Sequence, residues 1–183
     1  MASNTLTNGI KQQDTRASSD GPAQRAYDNA TVLDAAVGDI NSIIRVVKDA
    51  DQIDYALSYV NDNDIVVALE ANQRYDFTLI AIAKNTVALG AGDPISLKWS
   101  VPSGTTMKWQ NSPGNTSPRT AAQSVVLTLT GSLQEDIFLV FGTIDTAGTA
   151  GNLQLQWAND GGGYTTYQLG LLAGTALTVR KVS

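Results

Sequence analysis

The sequence contains no cysteine and no histidine. Disulfides, thiolate nucleophiles, imidazole bases and Cys or His zinc sites go with them, and so does most familiar enzyme chemistry. Charge is scarce too, at 16% of residues, and 12 bases against 17 acids leave a net charge of -5. With a sequence pI near 4.5 there is no basic footprint for nucleic acid, and neither DNA nor RNA is an expected partner. No run approaches the roughly 18 apolar residues a membrane helix requires. Met1 to Asp20 also lacks the apolar core of a signal peptide, so the chain reads as soluble, unsecreted and without a membrane partner.

What remains is 183 residues of which 43% are apolar, enough to build one sizeable core and too few for two ordinary domains with a linker. The charge is uneven. Residues 1–64 hold ten acids and five bases, whereas residues 65–183 hold seven of each, so the C-terminal two-thirds is a lightly charged, neutral body. From Met1 to Ala26 only Met1, Leu6 and Ile10 are large and apolar. Such a segment buries too little to order itself and reads as an extended polar arm, lying on a partner or folded back on its own domain. The expected organisation is an arm over 1–28 and a single domain over 29–183.

Apolar spacing over 30–48 suits a short helix near 31–38, while the β-branched run Ile43-Ile44-Arg45-Val46-Val47 suits a strand at 42–48. Strand patterns follow one another thereafter. Tyr55, Leu57 and Tyr59 alternate with smaller residues, and Ile65 to Leu69 is a continuous apolar run behind an Asn61-Asp62-Asn63-Asp64 turn. Alternation continues through Tyr75 to Ala83 and Ile95 to Val101, then over 105–110, 124–130, 136–143 (Ile137, Leu139, Phe141), 152–158, 164–169 and 176–182. About ten short strands separated by Gly and Pro predict an all-β fold, a β-sandwich. Residues 110–122 form the one long aperiodic stretch, a contact loop or a mobile one.

Catalysis would have to use carboxylates, as a glycosidase does. Glu70, Asp76, Glu135 and Asp136 are the candidates, but Glu135-Asp136 reads as an ordinary solvated turn. Asp49, Asp51, Asp54, Asp62, Asn63 and Asp64 are acidic enough for calcium, yet the Gly and Glu of an EF-hand loop are missing and solvated turns are the expectation. Gly90-Ala91-Gly92-Asp93 lacks the third glycine and the following helix of a dinucleotide fingerprint, and Gly161-Gly162-Gly163 reads as a hairpin tip. Asn29-Ala30-Thr31 and Asn115-Thr116-Ser117 fit the glycosylation pattern, which carries no weight without secretion. Trp99, Trp109 and Trp157 sit among alternating apolar positions and are expected as core anchors. No cofactor or metal is expected.

Several stretches nevertheless form a pattern. Gly148 to Ala158, with Gly148, Gly151, Leu153, Leu155 and Trp157, and Leu172 to Leu177, with Gly174, resemble a β-structured domain of tailed-bacteriophage virion proteins. Val46 to Gln52, Val67 to Asn72 with Tyr75 and Phe77, and Ser100 to Gly104 match in the same order, over about residues 44–182. Two departures stand out: Thr175-Ala176 replaces a Ser-Tyr-like pair, and the long fibre segments of many members are missing. The resemblance implies a jelly-roll-like sandwich and a non-enzymatic virion structural protein, made in the host cytoplasm and carried on the outer surface of the capsid. A capsid decoration, or cement, protein is the first expectation, with the major capsid protein as partner and the arm, through Leu6, Ile10, Lys11, Arg16 and Arg25, as the contact. A tail, baseplate or head-fibre component is the alternative, and a carboxylate-based polysaccharide depolymerase a remote one. The resemblance also implies a homotrimer, whose interface is sought near Leu127, Leu129, Leu153 and Leu155.

Overall fold

The structure is a computed structural model, and it describes residues 4–5, 11–12, 43–54, 57–86, 94–112, 117–131, 133–160 and 169–182. The chain divides into two compact units, Met1–Asn41 and Ser42–Ser183. In the first, β1 (Asn4–Thr5) pairs antiparallel with β2 (Lys11–Gln12), so this part of the expected arm doubles back. The helix expected near 31–38 lies outside the described residues.

The second unit runs through β3 (Ile43–Val47), β4 (Gln52–Asp54), β5 (Val60–Leu69), β6 (Arg74–Asn85), β7 (Pro94–Ser100), β8 (Thr106–Ser112), β9 (Val125–Thr128), β10 (Glu135–Asp145), β11 (Gly151–Asn159), β12 (Leu169–Leu171) and β13 (Ala176–Val182). The larger sheet has the order β3-β13-β6-β10-β8, with β12 also against β6 and β4 against β12, and the smaller has β5-β11-β7-β9. The two antiparallel sheets pack as a sandwich. Their pairing is nested: β3 with β13, β4 with β12, β5 with β11, β6 with β10, β7 with β9. The first two pairs lie in the larger sheet and the next three alternate between the smaller and the larger, and a ribbon folded in this way is jelly-roll-like. Strand β8 is the tip of the ribbon and adds to the larger sheet beyond β10.

Alternation explains which face each strand buries. Tyr75, Phe77, Leu79, Ala81 and Ala83 of β6 point inward, opposed by Leu153, Leu155 and Trp157 of β11 and Ile95, Leu97 and Trp99 of β7 from the smaller sheet. Burying each large member stabilises by about 1.5–3 kcal/mol. Trp99 meets Phe77 edge-on across the sandwich with ring centroids 5.1 Å apart. Trp109 is buried and its Nε1 donates to the Thr120 carbonyl at 2.9 Å, so all three tryptophans anchor the core. Gly142 of β10 occupies the point where Phe77 and Trp109 leave no space for a side chain.

Some local expectations are overturned. Strand β10 buries Val140 and Ile144 and turns Ile137 and Leu139 outward; both alternating sets are apolar, and its neighbours β6 and β8 select between them. Leu57-Ser58 is a bend, not part of a strand, since the chain crosses here from β4 in the larger sheet to β5 in the smaller. Strand β5 begins at Val60 and includes the supposed Asn61–Asp64 turn, accommodated by a break in register opposite Gln154–Gln156. The 110–122 stretch is partly β8, and Arg119 returns to form an antiparallel bridge with Trp109. Its guanidinium lies 5.8 Å above the Trp109 ring, so this part is tied to its own domain. Residues 164–168 lie outside the described residues, and Leu169–Leu171 forms β12.

Candidate functional site

The outer face of the larger sheet carries an apolar band. In register across four strands stand Val47 of β3, Ala176 of β13, Ile80 of β6 and Leu139 of β10, and one row further Ile82 faces Ile137. Ile137 is 70% exposed, Ile80 43% and Leu139 40%. Outward apolar residues scattered singly need no explanation, whereas a continuous band across a sheet is a candidate contact surface. Outward positions of this sheet hold Arg45, Arg74, Lys84, Lys108 and Arg180 against Asp76, Glu135 and Asp145. The face therefore carries +2, and since the chain as a whole is -5, the remainder carries -7.

A second feature lies inside the sandwich. Lys48, just after β3, is buried with its side chain 1% exposed, and its Nζ lies 3.2 Å from the carboxylate of Asp62 and 3.0 Å from Asp64. The backbone builds this cluster. The Lys48 N–H donates to the Thr175 carbonyl at 2.8 Å, and the Lys48 carbonyl accepts from Gly174 N–H at 2.9 Å, where Gly174 adopts φ 88° that suits glycine. The register break in β5 turns Asp62 inward, and Gln154 Nε2 supports it by donating to the Asp62 carbonyl at 2.7 Å. Asp62 is thus a buried partner of Lys48, not the solvated turn residue expected of it.

No family model matches the chain, and comparison with curated proteins finds no match. The functional reading therefore rests on the placement of its residues.

The stretches that carry the resemblance meet in space. Ser100 of β7 pairs with Gln154, a Cβ on Gly151 would lie 3.2 Å from Pro102, and Gly151 pairs with Leu69. Ala173 N–H donates to Asp51 Oδ1 at 2.8 Å, next to the Lys48–Gly174 link. Leu153, Leu155 and Trp157 are core residues, and Gly148 stands exposed with open space around it. These residues form scaffold and turns. Leu127 and Leu129 are equally buried, so all four leucines belong to the core faces of their strands. Of the arm residues, Lys11 opens β2, while Leu6, Ile10, Arg16 and Arg25 lie outside the described residues, as do 29–31, 90–93, 115–116 and 161–163.

The carboxylates weighed for catalysis lie in two places on the domain. Glu70 binds Lys181 at 2.9 Å and Asp76 binds Arg180 at 2.9 Å near the start of β6. Glu135 faces Lys84 at the far end of that strand, and Asp136 beside it accepts from the Thr130 N–H and hydroxyl at 2.8 and 2.7 Å. The strand rise puts Asp76 and Glu135 about 25 Å apart, well beyond the spacing of a glycosidase pair. Lys181 has its pKa raised from 10.5, chiefly by the hydrogen bond to Glu70. Among the described residues no three Asp or Glu side chains gather to hold a metal ion. Neither the apolar band nor the Lys48–Asp62 pair is legible in the sequence, since one depends on which face of β10 is buried and the other on a contact across the sandwich.

Proposed function

We propose that this protein is a non-enzymatic structural component of a tailed-phage virion, a decoration protein that cements the major capsid protein lattice. The observation that carries the reading is a jelly-roll-like sandwich presenting a band of exposed isoleucine and leucine on the outer face of its larger sheet. That arrangement suits assembly, where modest contacts are multiplied by the symmetry of a shell. The resemblance of residues 44–182 to virion domains supplies the phage context.

Charge favours a head-to-tail arrangement of copies. A two-fold dimer through the band would oppose two faces of +2, whereas a heterologous contact sets that face against a surface drawn from the remaining -7. A heterologous contact that closes forms a ring, and a homotrimer is the ring proposed here. The arm then makes the contact to the major capsid protein. Deleting residues 1–26 tests this: the truncated chain is expected to fold and to lose binding to undecorated heads. Unchanged occupancy would refute the arm's role.

A further inference from the structure

The buried lysine and its carboxylates are arranged for more than an ion pair. Lys48 Nζ is 3.2 Å from Oδ1 and 3.2 Å from Oδ2 of Asp62, so the carbon between them lies at the near-attack separation of roughly 3–3.5 Å. The two oxygens differ. Oδ1 accepts the backbone N–H groups of Asp64 at 3.0 Å and Ile65 at 2.9 Å. Oδ2 is fully buried and has no hydrogen-bond donor aligned on it. Asp64, whose side chain is 33% exposed, places Oδ2 3.0 Å from the same Nζ and links the enclosed pair to solvent. Gln52 completes the ring, with Oε1 3.4 Å from Nζ and 2.8 Å from the Asn63 N–H.

We propose that Lys48 and Asp62 join in an intramolecular isopeptide bond, with Asp64 as the proton carrier. One proton passes from Nζ to Asp64, its hydrogen-bonded partner at 3.0 Å, and from there to Asp62 Oδ2, leaving a neutral amine against a buried carboxylic acid. The nitrogen lone pair attacks Cγ and the N–C bond forms. Negative charge develops on Oδ1, where the N–H groups of Asp64 and Ile65 already point, as in an oxyanion hole. The Asp64 carboxylate takes a proton from the attacking nitrogen and returns it to the Oδ2 hydroxyl, the C–Oδ2 bond breaks, and one water leaves. No oxidant or cofactor enters the balance. The product ties the end of β3 in the larger sheet to β5 in the smaller, independently of any assembly role.

The test is the intact mass of the full-length chain under denaturing conditions, followed by fragmentation of a proteolytic digest. The expected wild-type mass is one water below that of the sequence, with a branched peptide joining residues 48 and 62. Lys48→Arg and Asp62→Ala should restore the full mass, and Asp64→Asn should slow linkage by roughly 100-fold or more. Should a variant fail to fold, the branched peptide of the wild type still decides. A wild-type chain that keeps its full mass after prolonged incubation overturns the proposal. So does a water loss that survives Lys48→Arg, which would mark cyclisation of an aspartate. Linkage at an undiminished rate in Asp64→Asn overturns the role given to Asp64.

Discussion

Adding one methyl group at Gly142 should damage the fold more than most larger changes. A Cβ built there lies 2.2 Å from the Lys108 carbonyl oxygen, 2.8 Å from Cε1 of Phe77 and 2.8 Å from Cα of Trp109. Two of these three atoms are backbone of the neighbouring β8, so no side-chain rotation relieves the contact. Overpacking costs about 1–3 kcal/mol where side chains can move, and a displaced strand puts Gly142→Ala at or above about 3 kcal/mol. The smaller unfolded-state entropy of alanine returns only about 0.4–1 kcal/mol. For a chain of this size the loss corresponds to a melting temperature lower by roughly 6–12 °C. Gly148→Ala is the control, since nothing lies within 4 Å of its Cβ, and it should be neutral or slightly stabilising. Urea unfolding followed by tryptophan fluorescence reads both variants. A Gly142→Ala protein within about 0.5 kcal/mol of wild type would refute the packing derived for β6, β8 and β10.

The double change Ile137→Asp with Leu139→Asp alters outward positions of β10, so unfolding free energy should move by no more than about 1 kcal/mol while self-association is lost. Light scattering at micromolar concentration checks this, and a variant that associates as the wild type does would remove the band from the interface. Leu155→Ala should cost about 2–5 kcal/mol because the side chain is fully buried, and a loss below about 1 kcal/mol in the same urea assay would contradict the core assignment. The Lys181 amine should titrate above 10.5 and return toward that value in Glu70→Gln, as read by NMR of the side chain. Because the folded-state pKa is the higher one, any stability from this exposed pair is present below 10.5 and is lost as pH rises through the folded value.

How far the sequence carried these conclusions depended on whether a pattern had one interpretation or two. In β6, polar Arg74, Asp76 and Thr78 alternate with Tyr75, Phe77 and Leu79, and the inward face is legible at once. In β10, Phe138 and Val140 are as apolar as Ile137 and Leu139, so period two was visible and its phase was not. The phase is set by Gly142 and Ile144, which face Phe77, Trp109 and the core. Tyr55, Leu57 and Tyr59 alternate as well as any strand, but the chain is changing sheets there and bends at Leu57-Ser58. Lys48 and Asp62 are 14 residues apart and meet only because β3 and β5 belong to opposite sheets. An Asn-Asp-Asn-Asp run gives no local sign that its first aspartate faces inward. The nested pairing was beyond reach for a similar reason, since periodicity identifies strands and says nothing of their partners.

The copy number of this chain in purified virions tests the proposed role most directly. Quantitative gel densitometry against the major capsid protein should find the two chains in comparable amounts, as a cement protein covering the shell requires. A ratio of only a few copies per particle would contradict decoration and place the chain in a tail, baseplate or head fibre. Its absence from purified particles would contradict the structural role altogether.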